Sequence, residues 1–173
     1  LNPFKIFASS MKHTTASKEQ TSTGVATIIQ EDAAPWATHL PAPDLYADRV
    51  QTTLLCFPDS KQLRVINFYG NPHGEAKEGD LKRLEQELEK SGEREWIIVS
   101  GDFNIDPNKN TKDSLLLDSI LNKHKLRQPK WRSETQWTFR GSKGNVSKID
   151  HVFTTIPEEA IIYYGVTGDA API

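Results

Sequence analysis

A continuous apolar run that ends in a glycine and two polar residues constrains this chain most. The run is residues 96–99, and Gly101, Asp102 and Asn104 follow it in the segment WIIVSGDFN. An apolar run of this kind indicates a strand buried on both faces, as in α/β proteins. Enzymes of that class place their chemistry at the carboxyl ends of strands. We therefore predict a strand that ends at Ser100. The carboxylate and carboxamide after it either form a functional edge or are a polar turn that caps the strand, with Asp102 bonded to nearby amides.

Short strands separated by polar turns account for most of the remaining sequence. Runs rich in β-branched and aromatic residues predict strands, and residues 58–61 have the composition of a hairpin turn. The predicted strands are residues 4–8, 24–30, 50–57, 62–69, 136–140, 148–154 and 160–166. Residues 9–24 are rich in Ser, Thr and Lys and have no period, so we predict a surface loop there.

Only two segments have helical periodicity. Residues 77–91 place leucines 81, 84 and 88 on one narrow stripe, and residues 114–126 place Leu116, Ile120 and Leu121 on one side. Many strands with two helices predict an α/β layered sandwich. The length of 173 residues suits a single domain, residues 1–173.

Composition excludes several classes of protein. The single Cys56 rules out an internal disulfide framework or a cysteine-rich zinc site, and it fits a reducing compartment. No stretch approaches the ~20 apolar residues of a membrane-spanning helix, so we expect no membrane association. No signal peptide is visible, and the absence of an initiator Met indicates that the chain begins inside a longer protein.

Positive charge is concentrated in residues 109–151, which hold ten Lys or Arg and four Asp or Glu although the whole chain has a net charge of −2. Either this segment is an ordinary solvated face or it is an edge that binds a polyanion. Aromatic side chains interleave with the cations and add stacking capacity. These residues are Trp131, Arg132, Trp137, Phe139, Arg140, Lys143 and Lys148.

Two further segments carry groups suited to chemistry. Alternation along the strand around Asp150 places that carboxylate on the face opposite His151, which we interpret as a packed or surface strand histidine rather than a catalytic one. Asp150 can still orient a histidine elsewhere in the fold. Tyr69 ends an earlier strand, where its phenol is able to donate to developing negative charge or is simply a strand-end tyrosine.

In this order and spacing, N-x-Y, G-D-F-N and S-x-I-D-H resemble the endonuclease/exonuclease/phosphatase superfamily. Within it, the segments GVATIIQ, LRVINFYG and TQWTFRGSKGNVSKIDHVF are most similar to endonuclease domains of non-LTR (LINE-type) retrotransposons. The resemblance implies a four-layer α/β/β/α sandwich of the DNase I-like type. It also implies hydrolysis of a phosphodiester with Mg²⁺, or Mn²⁺ in its place, as the cofactor.

The resemblance assigns roles by motif. Asp102 would position or activate the attacking water, Asn104 would hold the phosphate, and both would lie at the metal. Tyr69 would assist at the phosphate and Asp150 would support the catalytic histidine. The nucleic-acid groove would be lined by Ser147, Trp137, Arg140, Arg132 and Lys148.

The chain departs from the pattern at both ends. Relatives begin with a strand bearing Asn and a Q-E motif whose Glu binds the metal, and they end in S-D-H. Gln30-Glu31 aligns with a different strand, and Gly168-Asp169-Ala170 either replaces S-D-H or precedes it. We therefore expect a domain that lacks its first strands, is inactive alone, and is completed by a further segment or chain.

The leading hypothesis is a Mg²⁺-dependent DNA endonuclease domain of a retrotransposon-like protein, with DNA as its partner and an intracellular, nuclear location. A phosphoesterase that acts on a substrate other than DNA is the alternative within the same chemistry. A non-catalytic module that binds nucleic acid or protein on the same fold is the alternative in a different class.

Overall fold

A computed structural model describes residues 4–9, 12–15, 18–21, 25–40, 49–72, 74, 76–132 and 137–161. Strands alternate with two α-helices along the chain. They are β1 (Phe4–Ser9), β2 (Lys12–Thr15), β3 (Lys18–Thr21), β4 (Val25–Gln30), β5 (Ala37–Leu40), β6 (Val50–Cys56), β7 (Gln62–Tyr69), α1 (Ala76–Glu89), β8 (Glu95–Asp102), α2 (Lys112–Lys123), β9 (Phe139–Arg140), β10 (Val146–Ser147) and β11 (Asp150–Thr154).

A five-stranded mixed sheet in the order β11-β8-β7-β6-β5 forms the centre of the molecule. β7 and β8 are parallel, and every other neighbouring pair is antiparallel. A parallel pair needs a crossover connection, which α1 supplies. β6 and β7 are joined by the predicted hairpin turn, which is closed by the Phe57 amide donating to the Lys61 carbonyl at 2.9 Å. This topology brings the carboxyl ends of β7 and β8 to one edge of the sheet.

The two helices cover one face of this sheet. The predicted stripe of α1 is confirmed, because Leu81, Leu84 and Leu88 are all buried in the main core. Burial of each such side chain stabilises the fold by about 1.5–3 kcal/mol. In α2 the buried positions include Leu117, whereas Leu116 is only partly buried at the margin of the core. The helices therefore fix the sheet from the side opposite β1 and β4.

The other face of the sheet is partly covered by the antiparallel pair of β1 and β4. β4 packs mainly against β6 and β7. The prediction that residues 96–99 are buried on both faces is therefore wrong, because β4 leaves this face of β8 open. Trp96 is 38% exposed and Ile98 is half-buried, whereas Ile97 and Val99 on the helix side are buried.

A chain of polar side chains joins β4 to the central sheet. The Asn67 amide donates to the Ala26 carbonyl and to Thr27 Oγ1, both at 2.8 Å, and the Ser100 hydroxyl donates to Asn67 Oδ1 at 2.8 Å. Thr27 in turn donates to Gln51 Oε1 at 2.6 Å. These bonds satisfy polar groups between the two layers and hold β4 in register over the sheet.

The structure corrects several predicted boundaries. Residues 9–24 are not all loop, because β2 and β3 pair as an antiparallel hairpin within them. Threonine favours strands, and ladder hydrogen bonds need no apolar alternation. β8 continues past Ser100 to Asp102, since β7 and β11 pair with its last residues.

Other corrections concern the last third of the chain. The strand predicted at 148–154 begins at Asp150, and the strand predicted at 136–140 consists of Phe139 and Arg140, with residue 136 outside the described part. Ala160 ends a short 3-10 turn instead of starting a strand, and residues 162–166 lie outside the described part.

The mixed α/β architecture predicted from the sequence is confirmed, with a central sheet and two helices. The described residues contribute a helix layer, the central sheet and a two-stranded part of a second sheet. Among them, neither helix has the length and apolar character needed to cross a bilayer.

Candidate functional site

Three of the four predicted catalytic residues lie side by side at one edge of the central sheet. Asp102, the last residue of β8, is paired with Tyr69 at the end of β7 and with Asp150 at the start of β11. Directly paired residues on neighbouring strands have their Cβ atoms about 4.5–5.5 Å apart. We call this edge, together with Asn104, the polar edge. It brings together groups separated by 81 residues of sequence.

Glycine allows β8 to reach this edge beside β7. Gly101 has φ +144°, and a Cβ atom there would lie 1.9 Å from the Phe68 carbonyl oxygen. No other residue fits without displacing the backbone of β7. The glycine after the apolar run therefore serves close approach within the strand.

The polar edge turns around a buried aromatic side chain. Phe103 is fully buried, with its ring centroid 4.8 Å from that of Phe68 and 5.2 Å from that of Phe153. Asp102 and Asn104 on either side of it remain half-buried at the surface. The apolar residue of the GDFN motif therefore anchors the two polar ones.

Asn104 adopts a left-handed conformation with φ +51°, so it does not continue the extended backbone of β8. Asn104 and Asp102 interact directly, because the main-chain amide of Asn104 donates to Asp102 Oδ1 at 2.8 Å. The Asn104 side chain donates to the Gly70 carbonyl at 2.9 Å. Asn tolerates the left-handed region better than most residues, which suits it to this turn.

Lys77 is a residue of the site that the sequence analysis missed. It lies in the first turn of α1, and its Nζ donates to the Asn104 carbonyl at 2.9 Å. The sequence signal was weak, because a charged residue in a helix that is charged throughout does not stand out. Only the β7-α1-β8 crossover shows that the start of α1 returns to the polar edge.

Burial and charge raise the pKa of Asp102 above its ordinary value. Desolvation is the largest cause, and repulsion from the Asp150 carboxylate acts in the same direction. The hydrogen bond from the Asn104 amide and the positive charge of Lys77 oppose this shift. A carboxyl with a raised pKa accepts a proton more readily, which is the property of a general base.

His151 is packed inside the core, which confirms the interpretation made from alternation. It is 2% exposed, and its Nε2 lies 3.0 Å from the carbonyls of Ile105 and Lys148. Burial lowers the pKa of its imidazole. Gln128 Nε2 lies 3.1 Å from Nδ1. The neutral ring, with its proton on Nε2, therefore ties the loop after Asn104 to the segment before Asp150.

The residues predicted to bind nucleic acid lie on and beside a small hairpin. β9 and β10 pair antiparallel, and we call residues 137–147 the basic hairpin. Its aromatic side chains are exposed, with Trp137 at 37% and Phe139 at 46%. Arg140 is also exposed, and Ser147 lies in a cleft with Asn104. The hairpin therefore presents aromatic and cationic groups next to the polar edge.

Arg132 and Lys148 do not lie on the hairpin strands. The Lys148 ammonium lies 3.8 Å from the centroid of the Trp131 ring, and burial lowers the pKa of its amino group. Arg132 is exposed, and its charge acts on Glu158. Burial raises the pKa of Glu158, but hydrogen bonds from the Lys130 amide and Arg127 outweigh this effect. The charges of Arg127 and Arg132 lower the pKa further. Both remain predicted contacts with nucleic acid.

No protein-family model matches the chain, and no curated protein matches its sequence. Solved structures do match. The endonuclease domain of TRAS1, a telomere-specific non-LTR retrotransposon, aligns at a TM-score of 0.60 and 17% identity over 88% of this chain and 67% of that one. The chain has the endonuclease/exonuclease/phosphatase fold. The resemblance predicted from the motifs is thereby confirmed for the fold.

Other solved structures with the endonuclease/exonuclease/phosphatase fold also align with the chain. A family protein from Leptotrichia buccalis aligns at a TM-score of 0.59 and 17% identity over 89% of this chain and 60% of that one. A mannosyl-6-phosphatase of Bacteroides thetaiotaomicron aligns at a TM-score of 0.60 and 16% identity over 89% of this chain and 63% of that one. The chain thus spans about 60 to 67% of these structures, and the matches include nucleases and phosphatases.

The endonuclease/exonuclease/phosphatase fold implies a divalent metal, and the polar edge offers oxygen ligands of the right kind. Asp102 and Asp150 are opposed carboxylates whose mutual repulsion a cation would relieve. Within the described ranges, no cluster of three or more His, Cys, Asp or Glu side chains is arranged to bind a metal. The pair fits Mg²⁺, which keeps several waters and commonly uses only one or two carboxylates plus substrate phosphate.

Proposed function

We propose that this chain is an incomplete part, inactive alone, of a phosphodiester hydrolase domain that requires Mg²⁺, or Mn²⁺ in its place, and that in the full-length protein cuts DNA as the endonuclease of a retrotransposon-like protein. The observation that carries the proposal is the pairing of Asp102 with both Tyr69 and Asp150 at one edge of the sheet. Asn104 is bonded to Asp102 at the same edge. The basic hairpin lies beside these groups and supports a polyanionic substrate.

The side chains of the polar edge can share the work of hydrolysis. Asp102, with its raised pKa, orients the attacking water and accepts its proton. The side-chain amide of Asn104 exchanges its hydrogen bond to the Gly70 carbonyl for one to a phosphate oxygen. The Tyr69 ring lies 4.9 Å from the Arg49 guanidinium carbon, a contact that helps to hold the ring while its hydroxyl donates to the phosphate.

A bound Mg²⁺ would supply charge neutralisation and Lewis acidity at the phosphate. Asp102, Asp150 and the carboxamide oxygen of Asn104 are the groups that would hold it. Asp150 has a second task in the proposal, which is to support a catalytic histidine. In the described part, its main-chain amide donates to Thr138 Oγ1 at 3.0 Å, which fixes the start of β11.

DNA is favoured over a small phosphoester because of the basic hairpin. Stacking of a base on an aromatic side chain is worth about 1–3 kcal/mol, and exposed Trp137 and Phe139 supply two such surfaces. The similar structures include a sphingomyelinase C and a mannosyl-6-phosphatase, so phosphoesters other than DNA belong in the same assay. A DNA substrate would place the protein inside the cell, in the nucleus.

The test is nicking of supercoiled plasmid by the natural full-length protein in the presence of Mg²⁺. We expect nicking that stops in EDTA and in Asp102→Ala and persists in Asp118→Ala, a matched change at an exposed position of α2. Nicking that is unchanged in Asp102→Ala would refute the proposal. Hydrolysis of a sugar phosphate or sphingomyelin without nicking would assign the alternative phosphoesterase.

Binding of plasmid without hydrolysis by the full-length protein would assign a non-catalytic module. This chain by itself is also assayed, with and without the other segments of the full-length protein added in trans. Because the resemblance places a metal-binding Glu and a catalytic His in motifs not recognised here, we expect no nicking by the chain alone. Restoration by an added segment would identify the partner that completes the domain.

A further inference from the structure

Lys77 places a positive charge beside the polar edge, where it acts on Asp102 without forming an ion pair with any described residue. Its one hydrogen bond to a described residue is to the Asn104 carbonyl, and no carboxylate oxygen of the described part lies within 4.0 Å of Nζ. An ammonium has three N–H donors, so two remain for a ligand. The group is half-buried, which makes an anionic ligand more favourable than water.

A small cleft lies in front of this ammonium. It has a volume of about 230 Å³, and Lys77 and Asn104 line it together with Ser147 and Ile149 from the end of the basic hairpin. Sites for drug-sized ligands occupy ~300–1,000 Å³, so the size matches a single phosphate group rather than a whole nucleotide. The Ser147 hydroxyl forms no hydrogen bond to a described residue and supplies a further donor.

Two carboxylates also line the cleft, and both have their own partners. Asp106 accepts a hydrogen bond from the Asn108 amide at 3.1 Å and lies 3.8 Å from the Lys109 ammonium. Asp113 occupies the first turn of α2, where the helix dipole favours a negative charge. Among the charged groups that line the cleft, the Lys77 ammonium beside Asn104 therefore remains available to an anionic ligand.

We propose that Lys77 and Ser147 bind the phosphate that neighbours the scissile one on the DNA strand. The proposal rests on the proposed function, because Asn104, whose main-chain carbonyl accepts the hydrogen bond from Lys77, would hold the scissile phosphate. Lys77 would thus fix the strand to the same loop that carries the reacting group. Its positive charge also acts on Asp102, which agrees with their proximity.

The first experiment measures affinity of the full chain for a 15-base-pair DNA duplex as salt is varied. We expect Lys77→Met to weaken binding roughly tenfold at low salt and to reduce the slope of log K against log salt by about 0.9, the value for one phosphate contact. Ser147→Ala should lower affinity with no change in slope. Lys77→Arg should restore the slope. Lys82→Met is the matched control, because Lys82 lies on the same helix and pairs with Glu78 at 2.8 Å.

The second experiment needs no variant. The wild-type chain is acetylated with and without the duplex, and modification of each lysine is measured by mass spectrometry. DNA should protect Lys77 at least fivefold and leave Lys82 as reactive as before. Equal acetylation of Lys77 with and without bound DNA overturns the subsite, as does a wild-type salt slope in Lys77→Met. If either result overturns the subsite but Asp102-dependent nicking persists, the proposed function stands without the subsite. Absence of both DNA binding and nicking refutes both.

Discussion

Asp102 and Asp150 are directly opposed across the antiparallel pairing of β8 and β11. Two like charges in this position destabilise a sheet. The repulsion contributes to the raised pKa of Asp102, second to desolvation. The fold thus keeps an unfavourable pair of charges at the edge where the proposed chemistry needs them.

Asp102→Asn should stabilise the fold at neutral pH and remove activity. Because the pKa of Asp102 is raised in the folded state, this group stabilises the fold fully below pH 3.8, its ordinary pKa. That stabilisation is lost as the pH rises through the folded pKa. Asn removes the charge and keeps an oxygen for the Asn104 amide. We expect a higher free energy of unfolding at pH 7 than in the wild type and nicking lowered about 10²- to 10⁴-fold.

Urea unfolding of both proteins at pH 3 and pH 7 measures this effect. The gain in stability should be larger at pH 7 than at pH 3, and Asp118→Asn should show no such difference. A variant that is less stable than the wild type at pH 7 would contradict the assigned cause of the shift.

Gly101→Ala should destabilise the protein strongly, because the added Cβ would meet the Phe68 carbonyl oxygen at 1.9 Å in a backbone with positive φ. We expect a loss of about 3 kcal/mol or more, from strain and overpacking together. Gly74→Ala is the control, since it shares positive φ but has no heavy atom within 4 Å of the added Cβ. Its cost should stay near 1–2 kcal/mol. Equal losses in urea unfolding would show that the close approach of β8 to β7 is not the cause.

His151 should make stability fall in mild acid. Its lowered pKa means that its stabilising contribution is present above pH 6.5 and is lost as pH falls through the folded value. His151→Phe removes the proton site and keeps a ring beside Phe153. We expect this variant to lose about 1–3 kcal/mol at pH 7.5, because the Ile105 and Lys148 carbonyls lose their donor.

The measurement is thermal unfolding of the wild type and His151→Phe from pH 7.5 to 5.5. The midpoint should decline less in the variant than in the wild type over this range. Parallel declines would mean that another group controls the acid sensitivity.

Trp137→Ala and Phe139→Ala should weaken DNA binding without weakening the fold. Both side chains are exposed, so their removal should change the free energy of unfolding by no more than about 0.5 kcal/mol. Loss of a stacked base costs about 1–3 kcal/mol, or roughly 5- to 150-fold in affinity for each variant. Fluorescence anisotropy with a labelled duplex measures this, and Leu115→Ala, an exposed apolar residue of α2, is the control. Affinity equal to that of the control would remove the hairpin from the DNA-binding surface.

The sequence was most informative where one local pattern sets the structure. The leucine stripe of α1 predicted the helix because burial of that face depends on spacing alone. The GDFN segment predicted the polar edge because a strand must deliver its next residues to its own carboxyl end. The position of Asp150 opposite Asp102 needed the motif order, since pairing between distant segments leaves no local signal.

Features that depend on tertiary packing were missed. The exposure of Trp96 follows from where β4 lies over the sheet, which residues 96–99 do not encode. The left-handed Asn104 follows from the hydrogen bond to Asp102 and the anchoring of Phe103. Lys77 was missed because only the crossover returns the start of α1 to the strand ends.

β11 enters the central sheet as an edge strand, yet it supplies the partner of Asp102. During synthesis, Tyr69 and Asp102 leave the ribosome well before Asp150, and the nascent sheet then has one carboxylate without its neighbour. Hydrogen bonds from β11 also define the end of β8. A nascent chain that stops before this strand therefore carries three of the four residues of the polar edge, which is complete only when β11 has been made.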